Sequence, residues 1–263
     1  MQKHNISLAK ASGLIMLSLG SISLIGSIIY TSQILAFIGL GLIFWGIILT
    51  YIQTEEYVKE SLLNATALSS LAMLNQIITE LDYTEKAVYL PPKYLKDPEE
   101  NKAYIPKNKM SKLPTPEQIQ EKDKLFIENP EGMLITPPGS ELAKLFEKTL
   151  NTSFTKVDMQ YLQLNMPKLF IEDLEIAQDL EINMENNRVH VKIEETAYQN
   201  LTEEIEKFEK LYGSLGCPLS SAIACALAKA IGKPIIIEKK LVNEKNRTVE
   251  IEYRIIEEEP KEK

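Results

Sequence analysis

Two uncharged apolar stretches at the start of the chain constrain its fold more than any other feature. They run from Ser12 to Tyr30 and from Ile34 to Ile52, and only Thr31-Ser32-Gln33 separates them. Each stretch holds about 19 residues, roughly 29 Å as an α-helix, which is close to the hydrocarbon thickness of a bilayer. A core helix of this length in a soluble protein nearly always carries a polar stripe, and neither stretch contains an Asp, Glu, Lys or Arg. A signal peptide has a shorter apolar core followed by a cleavage site. The sequence therefore predicts a transmembrane helical hairpin within residues 1–54.

The positive charges around this hairpin predict its orientation. Lys3 and Lys10 precede the first stretch, Lys59 follows the second, and the connecting turn carries no charge. Because cytoplasmic segments are enriched in lysine and arginine, both termini are expected in the cytoplasm of a multi-pass cell-membrane protein.

Small residues recur at every seventh position of each stretch. They are Gly13, Gly20 and Ser27 in the first stretch, and Gly39 and Gly46 in the second. This spacing favours close packing of the two helices within the hairpin, and a seam between two copies is the alternative. Since neither stretch contains an ionisable residue, a transporter or channel is not expected.

The rest of the chain is acidic. Residues 53–263 carry all 37 acidic residues but 27 of the 29 basic ones, a net charge of about −10, which opposes nucleic-acid binding. The two cysteines, Cys217 and Cys225, suit a reducing cytoplasm. With His4 and His190 as the only histidines, neither a metal site nor a cofactor is predicted. His190 alternates with cations on a polar strand face, so we expect it to be solvated and not a catalytic base.

Composition changes along this acidic part and predicts four regions. They are a helical stalk at 55–82, a proline-rich α+β region at 83–150, an α+β domain at 151–256 and an acidic tail at 257–263. In the stalk, a helical stripe consists of Ala67, Leu71, Leu74, Ile78 and Leu81. The stripe favours packing onto the chain's own domain, with dimerisation as the alternative.

Turn signals and hydrophobic periodicity predict the elements of the two α+β regions. The proline-rich region is expected to contain strands at Lys86–Leu90 and Lys102–Ile105, an apolar run at Met133–Thr136, a helix from Pro116 and a helix capped by Ser140 that runs to about Leu150. Prolines confine those two strands to edge or hairpin positions. The domain at 151–256 is expected to contain a helix at 156–165 stopped by Pro167, strands Ile182–Glu185 and Arg188–Ile193, helices 197–212 and 219–231, and strands Pro234–Leu241 and Arg247–Ile256. This order predicts an α+β fold with a mainly antiparallel sheet.

The candidate site is the turn that leads into the helix at 219–231, which is rich in small residues and expected to be buried. Cys217 is expected to cap this helix, whose free N–H groups attract anions and lower the pKa of a thiol. The predicted ligand-binding residues are therefore Gly216, Cys217, Ser220 and Ser221, with Cys217 as the candidate catalytic thiol. A structural role for Cys217 is the favoured alternative, and Cys225 is expected in the core.

The residues around this turn resemble those of a known family. The run Gly213–Glu238, together with Tyr89-Leu-Pro-Pro and Asn129-Pro-Glu-Gly, is similar to uncharacterised membrane proteins of methanogenic archaea. The resemblance covers most of residues 53–263. It implies a membrane location and an archaeal source, and that family carries no assigned activity.

Two weaker resemblances cover shorter segments. Residues 187–256 resemble the 4-vinyl-reductase-type domain, a small-molecule-binding module. Cysteines are common in the closing hairpin of that family, and this chain has none between Ile231 and Glu258, so no metal or redox role carries over. The Cys217-Pro218 pair before a helix is similar to sulfur carriers with Cys-Pro-x-Pro, although Ser220 stands at the fourth position.

Three functions are consistent with these features. The leading hypothesis is a membrane-anchored protein whose cytoplasmic, non-enzymatic domain binds a small molecule or a protein. The first alternative is a thiol-dependent enzyme or sulfur relay that uses Cys217. The second is a structural membrane partner that forms homo-oligomers through its stalk.

Overall fold

The structure is a computed structural model that describes residues 8–51, 60–109, 113–122, 124–197, 199–243 and 247–257. It divides into two compact units, Met1–Glu60 and Ser61–Lys263, and each is described by itself. Lys3 and Lys59, on which the predicted orientation depends, lie outside the described residues, as does the tail beyond residue 257. Those expectations stay predictions.

The first unit is a pair of apolar helices, α1 (Leu8–Tyr30) and α2 (Gln33–Tyr51). Thr31 between them has a φ of 47°, a left-handed conformation within the turn. By length and composition, three described segments could cross a membrane: Ser12–Tyr30, Gln33–Thr50 and Glu209–Ile231. Burial covers 11% of each of the first two but 83% of the third, so only the first two leave most of their apolar surface exposed.

Four glycines bring α1 and α2 into close contact. A Cβ placed on Gly13 would lie 3.0 Å from the carbonyl oxygen of Gly46, and one on Gly20 would lie 2.9 Å from that of Gly39. The Ser23 hydroxyl donates to a carbonyl of α2 at 3.1 Å. The predicted packing of these small residues within one hairpin is confirmed.

The second unit contains the remaining helices and all described strands. The helices are α3 (Glu60–Glu80), α4 (Pro116–Lys122), α5 (Ser140–Thr149), α6 (Met159–Lys168), α7 (Gln199–Glu206), α8 (Glu209–Leu215) and α9 (Pro218–Ile231). Short 3-10 turns lie at Pro92–Tyr94 and Phe154–Lys156, and a π turn lies at Leu169–Asp173. The strands are β1 (Val88–Tyr89), β2 (Ala103–Pro106), β3 (Phe126–Glu128), β4 (Glu131–Ile135), β5 (Asp179–Glu185), β6 (Arg188–Glu194), β7 (Ile235–Asn243) and β8 (Thr248–Ile255).

The eight strands form one antiparallel sheet in the order β3-β4-β2-β1-β7-β8-β6-β5. This confirms the predicted α+β fold with a mainly antiparallel sheet. The proline-rich region supplies β1–β4 and the last third of the chain supplies β5–β8. The two sets join where β1 pairs with β7, so one sheet runs through both regions.

The proline-rich strands adopt the hairpin pairing, which is one of the two arrangements that their prolines were expected to allow. β1 and β2 pair with each other as a hairpin would, but both lie in the interior of the sheet and neither is at an edge. Their prolines stand after β1 and at the last position of β2, so the N–H groups that the ladder needs remain available. The edge on this side is β3, a three-residue strand too short for its alternation to be recognised.

Three helix boundaries also differ. Pro167 lies inside α6 and does not stop it, because a wider π turn continues the helical path directly afterwards. The helix expected at 197–212 is divided into α7 and α8 at Phe208, which leaves helical conformation with φ −91° and ψ 69° and packs against the core. The cap of α5 is Gly139, and Ser140 is its first residue.

The helix α9 is the centre of the second unit. Every residue from Leu219 to Lys229 is buried, which confirms the expected central helix. Its small residues let the backbone at Gly139 approach closely. The Gly139 N–H donates to the Ser221 hydroxyl at 3.0 Å. The stalk stripe packs into the same core through Leu71 and Ile78, so its favoured packing on the chain's own domain is confirmed.

Candidate functional site

The predicted site lies at the turn between α8 and α9. Gly216 follows α8 with a φ of 78°, a conformation that favours glycine. Cys217 then caps α9, and its Sγ accepts the N–H of Ser220 at 3.5 Å. The Ser220 hydroxyl donates to the Cys217 carbonyl at 3.0 Å. The side chain of Cys217 therefore satisfies one of the free N–H groups at the start of α9.

Two buried tyrosines tie this turn to the sheet. The Tyr89 hydroxyl, from β1, donates to the Leu215 carbonyl at 2.6 Å. The Tyr253 hydroxyl, from β8, donates to the Ser220 carbonyl at 2.9 Å. Burial raises the pKa of both tyrosines well above the ordinary value, so both hydroxyls remain protonated donors.

The structure brings the four predicted ligand-binding residues together and buries them. Cys217 is 5% exposed and Ser220 is 1% exposed, and Gly216 and Ser221 are buried as well. Cys225 lies in the core as expected, and burial raises the pKa of its thiol. Ligand binding or thiol chemistry at Cys217 stays a prediction.

We expect both thiols to be protected from alkylation in the folded protein. Burial hides the sulfur atoms of Cys217 and Cys225, so a maleimide should react with them only when the surrounding structure opens. The measurement is the rate of modification of each cysteine by mass spectrometry, in native buffer and in denaturant. We expect a native rate at least 100-fold below the denatured one. Fast modification of Cys217 alone in native buffer would instead support the thiol hypothesis.

A lysine from β7 stands beside the turn, and the sequence did not predict it. The pairing of β7 with β8 shifts between Ile237 and Lys239, which is a β-bulge. Beyond the bulge Lys240 lies opposite the buried Ile251, on the inner face of the sheet. With regular alternation from Ile237, Lys239 would face inward and Lys240 outward. Hydrophobic alternation gives no indication of the bulge, so the sequence does not predict that Lys240 faces inward.

The Lys240 amine lies among polar and ionisable groups of other elements. It is 3.6 Å from the centroid of the Tyr212 ring and donates to the Tyr212 carbonyl in α8. Burial lowers the pKa of Lys240 to about 8; Cys217 and Glu206 oppose this shift, and the amine of Lys86 adds to it. The Tyr212 hydroxyl bonds to Glu206, and burial together with that carboxylate raises the pKa of Tyr212.

The opposite face of the sheet carries an open groove of about 350 Å³. We call it the outer groove. Its side chains come from β5, β6, β8 and β7, and they are Glu181, Asn183, His190, Lys192, Lys239, Leu241, Glu250 and Glu252. The other half of this face is covered by the 3-10 turn at Pro92–Tyr94 and by α4. Together they enclose a second small core around Tyr94, Tyr104 and Ile119. The outer groove is therefore the part of the sheet that these elements leave open.

His190 lies in the outer groove and is exposed, as predicted. Its surroundings differ from the prediction in one respect. On the strand next to it, His190 is paired with Glu252, so a carboxylate and not only cations lies beside it. Glu252 also bonds to Arg188. Because Glu252 belongs to β8, the sequence of β6 alone gives no indication of this carboxylate.

No metal site is visible among the described residues. Within the ranges that the structure covers, no group of three or more His, Cys, Asp or Glu side chains is placed to hold a metal ion.

Comparison with known proteins gives one match. A family model described as "Domain of unknown function (DUF7982)" matches residues 3–254. No curated protein and no solved structure matches the chain. The family match carries no assignment to methanogenic archaea or to the 4-vinyl-reductase type, so those two resemblances stay predictions.

Proposed function

We propose that this chain, which belongs to the DUF7982 family of domains of unknown function, is a membrane-anchored binding protein. In this proposal α1 and α2 lie in the bilayer and the second unit binds a polar ligand in the cytoplasm. The observation that carries the proposal is the contrast between the two units. The first exposes an apolar surface of membrane-spanning length, and the second buries most of its apolar residues in a core of its own.

The anchor is supported by how α1 and α2 use their residues. Four glycines of the hairpin face the partner helix, while long apolar side chains such as Leu19 and Phe44 point away from it and are more than half exposed. In water such a surface would be costly, whereas in lipid it needs no further partner. A cytoplasmic second unit is supported by two free cysteines and by the lysines that flank the hairpin.

We expect the full-length chain to remain in the membrane pellet after an alkaline carbonate wash. Charged residues on the lipid-facing surface should weaken this retention, because each arginine at a helix centre costs about 2.5–3.5 kcal/mol on insertion scales. The test compares wild type with the double variant Leu19→Arg/Phe44→Arg. Met73→Arg is the matched control, since Met73 is an apolar residue exposed on the second unit. Release of the wild-type chain by the wash, without detergent, would contradict the anchor.

The ligand-binding part of the proposal rests on the outer groove. It is concave, it lies on a rigid sheet, and it presents carboxylates, amines, an amide and an imidazole within one surface. Such a set suits a polar ligand with both positive and negative groups more than an apolar one. The buried turn at Cys217 leaves no comparable exposed surface among its four predicted residues.

Untargeted mass spectrometry of small molecules released from the purified full-length chain tests the groove. Asn183→Arg places a long cation in the groove and should deplete a bound compound at least tenfold relative to wild type. Met73→Arg, on α3, adds the same charge away from the groove and should not. Equal recovery of every compound from all three proteins would contradict binding at this groove.

The thiol hypothesis is the second candidate, and one observation favours it. The Sγ of Cys217 accepts an N–H at the start of a 14-residue helix, which is an end of a helix that attracts anions. The alkylation comparison described above tests this candidate. Rapid modification of Cys217 in native buffer would favour the thiol hypothesis over ligand binding in the outer groove.

A further inference from the structure

We propose that Lys240 is a nucleophilic amine that forms an imine with a small aldehyde at the edge of the α8–α9 turn. This inference goes beyond the proposed function and does not depend on the outer groove. It starts from the bulge in β7, which directs one lysine of the Lys239-Lys240 pair to the inner face of the sheet. Bulges commonly re-aim side chains next to active sites.

The bulge is fixed by two charged partners. Glu238 is the unpaired residue of the bulge; its carboxylate accepts from Arg254, and its carbonyl accepts from the Lys86 amine. These contacts keep β7 in the shifted register. They also hold the Lys86 amine close enough to Lys240 to act on it electrostatically.

A half-buried amine beside a second amine is a known route to a nucleophilic lysine. Lys240 has both features, since the ring of Tyr212 covers its amine and Lys86 lies nearby. Two acidic groups also face Lys240 and act to raise its pKa. They are the Cys217 thiol, when ionised, and the Glu206 carboxylate. Burial is nevertheless the largest influence on Lys240, so that about a tenth of the amine is unprotonated at pH 7.

The amine also has a structural contact, and that contact is compatible with the chemistry. Lys240 donates to the Tyr212 carbonyl in the last turn of α8. A neutral amine keeps two N–H groups for such a contact and has a free lone pair. The lone pair attacks the aldehyde carbon, and transfer of one amine proton to the aldehyde oxygen gives a neutral carbinolamine. Loss of its hydroxyl group together with the one remaining N–H proton, as water, gives the imine. No oxidant or reductant takes part in this step.

The experiment is selective labelling of the full-length chain in detergent with propanal and cyanoborohydride, which reduces the imine to a stable secondary amine. Digestion with a protease that does not cleave at lysine, followed by mass spectrometry, gives the labelling of Lys240 and Lys239 in the same sample. Lys239 is the internal control, because it is adjacent in sequence and exposed. Both residues experience the same aldehyde, reductant and pH.

At pH 7 we expect Lys240 to be labelled at least tenfold faster than Lys239. An amine of pKa about 8 has a neutral fraction about 300 times that of an ordinary lysine at this pH, and partial burial offsets some of that advantage. The ratio should fall at pH 9.5, where ordinary lysines also lose protons. In Lys86→Met the loss of the second cation should lower the ratio at pH 7 severalfold.

Two outcomes would overturn the inference. One is a Lys240 rate equal to or below that of Lys239 at pH 7, which is the result expected if Lys240 only caps α8. The other is a ratio that does not change between pH 7 and pH 9.5. Lys240→Arg keeps a donor for the Tyr212 carbonyl and must abolish the label at this position, which verifies its assignment. Failure here would leave the anchor and the outer groove unaffected.

Discussion

Replacing Gly139 by alanine is expected to destabilise the second unit by about 3 kcal/mol or more. A Cβ at this position would lie 2.1 Å from the backbone nitrogen of Ala222 and 2.5 Å from the carbonyl oxygen of Pro218. Both are backbone atoms at the start of α9, which is buried on all sides and cannot withdraw. The hydrogen bond from Gly139 to Ser221 would be lost as well. Chemical denaturation in detergent, followed by the near-ultraviolet circular dichroism of the tyrosines, measures the effect.

Gly213→Ala is the matched control for this variant. Gly213 lies within α8, and no heavy atom lies within 4 Å of a Cβ placed there. Because alanine is the better helix former, this change should stabilise the unit by about 0.5–1 kcal/mol. If Gly139→Ala were as stable as Gly213→Ala, the close approach of the two backbones would not exist as described.

Replacing Lys229 by methionine is expected to cost about 3–5 kcal/mol, the range found when one partner of a buried ion pair is removed. The Lys229 amine lies 3.1 Å from a carboxylate oxygen of Glu147, with side-chain exposures of 2% and 11%. It also donates to the Glu99 carbonyl at 3.1 Å. Without the lysine, the Glu147 carboxylate would remain buried with only the neutral donors at Phe154 and Ser153.

A second substitution should recover much of this loss. In Lys229→Met/Glu147→Gln the charge is removed, while the amide oxygen can still accept the Phe154 N–H that Glu147 accepts at 2.8 Å. We expect at least half of the lost stability to return. The control is Lys207→Met, since the Glu204–Lys207 pair is exposed and worth about 0–1 kcal/mol. A double variant no more stable than Lys229→Met would contradict a penalty caused by the unpaired carboxylate.

The parts of the fold that could be predicted are those in which local pattern and tertiary packing agree. The Asn186-Asn187 turn with alternating residues on both sides predicts the hairpin of β5 and β6, with β6 correct to one residue and β5 starting three residues earlier than predicted. The small residues of α9 correctly indicated a central helix that another backbone approaches. β3 and the interior position of β1 could not be predicted, because strands of two or three residues have too little alternation and owe their place to their neighbours.

The candidate site was predictable only in part. A Cys-Pro pair before a helix correctly gave Cys217 as the cap of α9, because proline is suited to the first helical turn. Whether that turn is exposed depends on Tyr89 and Tyr253, which arrive from strands distant in sequence. The inward position of Lys240 depends on a one-residue bulge, and the outer groove depends on four strands meeting in register. None of these has a local signature.

The most direct test of the membrane anchor uses the single tryptophan of the chain. Trp45 lies on α2, is 58% exposed, and sits about 5 Å along the helix from the middle of the Gln33–Thr50 span, so its fluorescence reports on the hairpin alone. In vesicles of lipids brominated in mid-chain, the fluorescence of the reconstituted full-length protein should be strongly quenched relative to unbrominated lipid. In both lipids the emission should be blue-shifted relative to that of a tryptophan in water. Emission that is the same in both lipids, at the wavelength of a tryptophan in water, would contradict insertion of the hairpin.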